Sequence, residues 1–278
     1  RYIVFCRSIY GYKELAEKQE EKMNIIADMW RYAELCSHNK EDFGDDDGDN
    51  FDFIKDTIKV QSPRSLFLQM ENSIEYCYIV DEPHRVLIVF RGTDGGKAWL
   101  NNFNIIPLVN GYMHKGFYDL IQYFGPEIKK CLVAIYGKEL KQTKPLFITG
   151  HSLGGIMSQY CAKYLFEKLK LISTCVNFGS PVGGTKQWAI EMNKIPVKNI
   201  RVVNGYDQVT EILDDTIGGH AGELLRLHQP KWHKYFVWRK LLDHSYKNYT
   251  KALIKYSKSL GDSEAVAELK TVKERCKI

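Results

Sequence analysis

Between about Lys13 and Ser37, Met23, Ile26, Trp30 and Ala33 recur at helical spacing while Glu17, Glu20 and Glu21 fall elsewhere. This pattern predicts an amphipathic N-terminal helix, about 13–37, that serves packing. The pattern then becomes β-rich in two runs, from about Ile74 to Val80 and from Arg85 to Phe90, separated by the proline-bearing turn Asp81-Glu-Pro-His84. An antiparallel pair is expected. A helical segment follows from His114 through about Tyr136, which Gly125-Pro126 should kink or divide. Leu146, Phe147 and Ile148 read as a buried parallel strand, and Ile156, Met157, Tyr160 and Cys161 as the face of the next helix. Further strands are expected over Ser173 to Phe178, Asn199 to Val203 and Tyr235 to Trp238, with a short helix from Gln187 to Ile195 and lysine-rich helices over about 244–278. Alternating strand and helix argue for an α/β domain whose mostly parallel sheet is covered on both faces. With 278 residues, 44% of them hydrophobic, and no repeat or linker, a single domain over 1–278 is expected.

Charge and cysteine content narrow the function classes. A net charge of +5, with lysines gathered near the C-terminus, falls short of a nucleic-acid footprint and fits a solvated helical face. Seven cysteines without CxxC or His/Cys spacing indicate neither a zinc site nor a complete disulfide framework. The acidic run Phe43-Gly-Asp45-Asp46-Asp47-Gly48-Asp49-Asn50 invites a calcium reading that its spacing refuses. With Gly48 as the turn glycine of an EF-hand, Phe43 would take the first ligand position and Ile54 the place of the bidentate glutamate. The run reads as a solvated loop, and no metal is expected. No stretch is apolar for long enough to span a bilayer, and Arg1-Tyr-Ile-Val-Phe-Cys6 is too short for a signal peptide. Asn248-Tyr249-Thr250 fits a glycosylation sequon, a short match that moves the compartment only slightly toward secretion.

The chemistry gathers at Gly150-His151-Ser152-Leu153-Gly154-Gly155, where the apolar strand breaks at glycine and a helix begins. This is the spacing of a nucleophile elbow, in which the turn is too tight for larger flanking side chains and the serine hydroxyl is pushed outward. The Leu153 amide, at the helix start, points where an oxyanion would form. A serine needs a histidine to take its proton and a carboxylate to orient that histidine. Ser152, Asp207 and His244 follow the order Ser, acid, His of α/β-hydrolases, and Asp207 lies just past a strand end. Of the eight histidines, His38, His84 and His114 precede the serine, and His151 adjoins it where the elbow turns side chains apart. His220, His228 and His233 also follow Asp207, on loops.

Val89-Phe-Arg-Gly-Thr93, Trp99, His114-Lys-Gly-Phe117, the elbow, Phe178-Gly-Ser-Pro181 and Val203-Asn-Gly-Tyr-Asp207 together resemble the class 3, fungal-type lipases, in family order from about Lys13 to Tyr249. The resemblance implies an α/β-hydrolase fold with Ser152 as nucleophile, Asp207 as acid and His244 as the late catalytic histidine. It further implies an oxyanion hole from Thr93 and the Leu153 amide, and a lid over about 94–107 carrying Trp99, Leu100, Phe103 and Ile106. No metal or organic cofactor is implied. Where the family commonly has a proline after the acid, this chain has Gln208-Val-Thr-Glu-Ile212. The paired cysteines of secreted fungal members are not evident, Cys36 and Cys276 being poorly matched, so an intracellular setting with peripheral lipid-surface contact is expected, with secretion as the alternative. The expected activity is hydrolysis of acyl-lipid esters: triacylglycerol, partial glyceride or phospholipid. A soluble esterase or deacylase on the same fold, or a lipase-like binding protein without turnover, are the competing classes.

Overall fold

The computed structural model describes residues 21–34, 66–69, 76–92, 108–211, 218–228, 235 and 242–275. Helix α1, residues 21–34, is followed by β1 (Leu66–Gln69), β2 (Tyr76–Asp81) and β3 (Val86–Phe90). A hairpin of β4 (Leu108–Val109) and β5 (Met113–His114) leads into α2 (Lys115–Tyr136). The second half runs β6 (Leu146–His151), α3 (Leu153–Leu169), β7 (Thr174–Phe178), α4 (Lys186–Lys194), β8 (Lys198–Asn204) and β9 (Glu223–Leu227). Helices α5 (Tyr246–Leu260) and α6 (Ser263–Arg275) close the described chain.

Seven strands form one sheet in the order β1-β2-β3-β6-β7-β8-β9. The first three are antiparallel and β3 onward are parallel. All five residues of β3 are buried, as expected of a strand covered on both faces. The period of two sorts its side chains: Leu87 and Val89 join Trp30, Val176, Phe178, Ile200 and Val202 on the face covered by α1, α5 and α6. Val86, Ile88 and Phe90 join Phe117, Ile128, Ile148, Ile156 and Tyr160 on the face covered by α2 and α3. On that second face β7 and β8 carry Asn177 and Asn199: Asn177 Nδ2 donates to Asn199 Oδ1 (2.9 Å) and Asn199 Nδ2 to Gln159 Oε1 of α3 (3.1 Å), so both buried Nδ2 groups are paired.

Of the expected 13–37 helix, residues 21–34 are described and are helical, and the β2–β3 pair and the strand–elbow–helix unit lie where the sequence predicts them. One expectation is corrected. Gly125-Pro126 does not divide the first long helix, which runs unbroken through Pro126. Proline forfeits one hydrogen bond to the carbonyl four residues back, but Gln122 and Pro126 are both exposed, so water can serve that carbonyl. Gly125 has a packing role: a Cβ there would meet the Tyr164 ring at 2.4 Å. Among the described residues the last strand is Glu223–Leu227. Of the expected 235–238 strand only Tyr235 is described, in a 3-10 turn and 72% exposed; residues 236–238 lie outside the described residues. Among the described residues β9 pairs with β8 alone, and it exposes Glu223, Leu224 and Arg226, so it lacks an apolar run.

Candidate active site

Ser152 sits between the end of β6 and the start of α3 with φ 57° and ψ −123°, a conformation that an L-residue adopts only under constraint. The constraint is steric and hydrogen-bonded. A Cβ on Gly150 would meet the Gly154 carbonyl oxygen at 2.3 Å, and one on Gly154 would meet that of Phe90 at 2.2 Å. The Ser152 amide donates to the Phe178 carbonyl at the end of β7 (2.9 Å). The elbow is thus clamped by both neighbouring strands, with the Ser152 side chain at the carboxyl edge of the parallel sheet. The Leu153 amide belongs to the first turn of α3, where helix geometry supplies no intrahelical acceptor.

His244 Nε2 lies 2.9 Å from Ser152 Oγ, and its Nδ1 lies 2.9 Å from both oxygens of Asp207. A carboxylate only accepts, so Nδ1 carries the proton and Nε2 turns its lone pair to the serine hydroxyl. Asp207 is fully buried and takes two more bonds, from the Tyr249 hydroxyl (2.7 Å) and the Val209 amide (3.0 Å). Burial, with the Asp207 charge beside it, pushes the Tyr249 phenol well up, so it stays a donor. The Val209 bond also accounts for the absent proline: Asp207 folds the chain back on itself into the turn Gln208–Glu211. This arrangement can move a proton from a hydroxyl to an imidazole while a buried negative charge faces the resulting cation.

The segment carrying His244 is tied down from several sides. Asn204 Nδ2 donates to the Asp243 carbonyl (2.8 Å), the Tyr206 amide to Asp243 Oδ2 (3.2 Å), and Asn248 Nδ2 to the Leu242 carbonyl (2.8 Å). Ser245 caps α5, its hydroxyl accepting from the Asn248 amide (3.3 Å). The sequon residues therefore have structural work: the buried Thr250 hydroxyl accepts from the Trp30 indole (2.9 Å) and donates to the Tyr246 carbonyl (3.1 Å).

Of the residues singled out from the sequence, Ser152, Asp207, His244 and the Leu153 helix start come together. His220 stands apart from the serine, its Nε2 donating to the Thr210 carbonyl (2.7 Å) in the turn after Asp207. Thr93, Trp99, Leu100, Phe103 and Ile106, and with them the expected lid, lie outside the described residues, as do Cys36, Cys276 and the acidic loop. Sequence reasoning passed over Tyr249, His151 and Gly179. A Cβ on Gly179, whose φ is +57°, would meet Asp207 Oδ2, the Tyr249 hydroxyl and His244 Cε1 within 2.9–3.1 Å.

Residues 87–216 match the model of the family described as Lipase (class 3). Across those residues, a little under half of its length, the chain is similar to the class 3 lipases. A lipase of Rhizomucor miehei is 31% identical over 155 residues, which cover 51% of this chain and 42% of that protein. The secreted mono- and diacylglycerol lipase 1 of Fusarium solani is 29% identical over 132 residues, covering 46% and 39%. The chain thus spans about two fifths of the length of these curated relatives. In fold, lipase II from Rhizopus niveus superposes with a TM-score of 0.61 at 17% identity, over 82% of this chain and 93% of that one. The chain has the α/β-hydrolase fold.

Proposed function

We propose that the protein is a carboxylic-ester hydrolase acting on acyl lipids through Ser152, His244 and Asp207. The observation that carries this reading is the continuous hydrogen-bonded line from Ser152 Oγ through both ring nitrogens of His244 to a buried carboxylate. As the Ser152 oxygen forms a bond to the ester carbonyl carbon, His244 Nε2 takes its proton, and the carbonyl oxygen becomes an oxyanion facing the Leu153 amide. His244 then returns the proton to the departing alcohol, leaving an acyl-enzyme. Water repeats the sequence with the same base and releases the fatty acid. Thr93 is the proposed second oxyanion donor, and Trp99, Leu100, Phe103 and Ile106 the proposed lid surface that meets lipid.

Similarity to the secreted mono- and diacylglycerol lipase of Fusarium solani supports acylglycerols over small soluble esters, and export over the intracellular setting suggested by the cysteines. The test is covalent labelling by a fluorophosphonate together with a panel of short-chain nitrophenyl ester, triolein, monoolein and phosphatidylcholine. Ser152→Ala should abolish labelling and turnover, His244→Ala should abolish turnover as completely, and His220→Ala should retain most activity. Preference for the nitrophenyl ester over every lipid would favour a soluble esterase. Labelling without turnover of any ester would favour a binding protein. Unchanged activity in Ser152→Ala would refute the proposal.

A further inference from the structure

His151, next to the nucleophile in sequence, turns away from it and beneath the base. Its Nε2 donates to the main-chain carbonyl of His244 (2.9 Å), and its ring lies against the His244 ring with centroids 4.7 Å apart and planes 27° apart. His151 is in turn held edge-on by Trp30 of α1 (5.6 Å) and by Tyr249 of α5 (5.3 Å). The titratable groups facing it are therefore His244 and Tyr249, with Asp207 bonded to both.

We infer that His151 is a positioning residue for His244, fixing the base by a hydrogen bond to its backbone and a ring face against its imidazole. The inference rests on the proposed role of His244 as base. The two contacts act differently. The bond from Nε2 sets the depth of the His244 backbone, hence the reach of its own Nε2 to Ser152. The ring offers π density to the imidazolium that forms when Ser152 gives up its proton, a stabilisation available only while His151 is neutral. Neutrality follows from its surroundings: burial, then the nearby His244, hold the His151 imidazole well below its usual range, against the smaller opposing pull of its bond to the His244 carbonyl.

Three substitutions separate the contacts: His151→Phe keeps a ring and loses the donor, His151→Gln keeps an amide donor at similar reach and loses the ring, and His151→Leu loses both. Fluorophosphonate titration counts competent sites, so that kcat is expressed per site, and ring NMR of His244 gives its titration with or without turnover. The Phe variant should lose about tenfold in kcat at nearly constant KM, the loss of one hydrogen bond, and the Gln variant should recover most of it. His244 should titrate about half a pH unit lower in the Leu and Gln variants and unchanged in the Phe variant. If the variants lower only the fraction of titratable sites, leaving kcat per site and the His244 titration as in the wild type, His151 is a packing residue and the inference is overturned. An unshifted His244 titration in His151→Leu overturns the ring contribution even if no ester proves to be a substrate. Failure of the wild type to label would instead count against the hydrolase reading.

Discussion

Gly179→Ala probes the space on which the acid depends. Gly179 follows β7 with φ +57°, so an alanine there pays about 1–2 kcal/mol for the left-handed backbone alone. Its methyl would also approach Asp207 Oδ2 at 2.9 Å, the Tyr249 hydroxyl at 3.0 Å and His244 Cε1 at 3.1 Å. Asp207 and Tyr249 are buried and bonded to each other, so a few tenths of an ångström must be found by displacing the carboxylate or the imidazole. The expected destabilisation is about 2–4 kcal/mol, lowering Tm by roughly 5–15 °C. The shift should lower kcat per titrated site by about 10- to 100-fold with KM little changed, because the methyl meets Asp207, Tyr249 and His244. Gly261→Ala is the control: its φ is +76°, yet nothing lies within 4 Å of its added Cβ, so it should lose about 1–2 kcal/mol and no kcat. Thermal denaturation and active-site titration read both effects. A Gly179→Ala protein with wild-type kcat per site and a Tm no lower than that of Gly261→Ala would refute the reasoning.

Asp207→Asn keeps the shape of the acid but allows the wrong His244 tautomer. Turnover should fall roughly ten-thousand-fold, measured on whichever ester the wild type cleaves best. Glu82 links Tyr32 of α1 to Arg85 at the β2–β3 turn. Burial works to raise its carboxyl, but the bonds from Arg85 and Tyr32, with the charges of Arg85 and His84, outweigh burial and hold it below its ordinary value of 4.5. A lowered folded value means stability that is complete above the ordinary range and lost as pH falls through the lowered one. Glu82→Gln should therefore be less stable than wild type at pH 7, by about 1 kcal/mol, with the gap closing between about pH 5 and pH 3 in denaturant titrations. Cys161 and Cys175 are fully enclosed, and burial pushes both thiols up, Cys175 to about 12. Ellman's reagent at pH 8 should reach them only after guanidinium is added, and rapid modification of the folded protein would contradict their burial.

Much of the sheet and part of the site were legible in the sequence, for reasons that differ by residue. The elbow is readable because its demands are local: Gly150 and Gly154 each lack room for a Cβ within four residues of Ser152 or against the next strand. Strands β3 and β6 are readable because both of their faces meet core, which leaves near-continuous apolar runs, and β7 and β8 by the apolar residues of the face that packs on α1 and α5. Asp207 and His244 could be placed only by chain order and family resemblance, since a single acid or histidine on a loop looks the same whatever it faces. Tyr249 and His151 were beyond that reasoning. Their roles exist only once α5, the elbow and the turn after β8 meet, and no spacing in the chain announces that meeting. The β4–β5 hairpin carried an Asn110-Gly111 turn, with φ of 53° and 75°, but strands of two residues give no periodicity to read. Strand β9 was hidden by its edge position, and the Pro126 helix by local propensity that tertiary packing overrode.

The bond between Trp30 and Thr250 spans 220 positions, and the one between Ser152 and His244 spans 92. On the ribosome these separations become waiting times. At roughly 5–20 residues per second, Ser152 precedes His244 by some 5–20 s. Helix α1, made before the elbow, must hold its tryptophan in reserve until α5 is delivered. Under the proposed chemistry, ester-cleaving competence then arrives as a single late event, when α5 docks and brings His244, Tyr249 and Thr250 to partners already in place. A nascent chain stalled between the elbow and α5 would carry its serine harmlessly past the membranes of the cell that makes it.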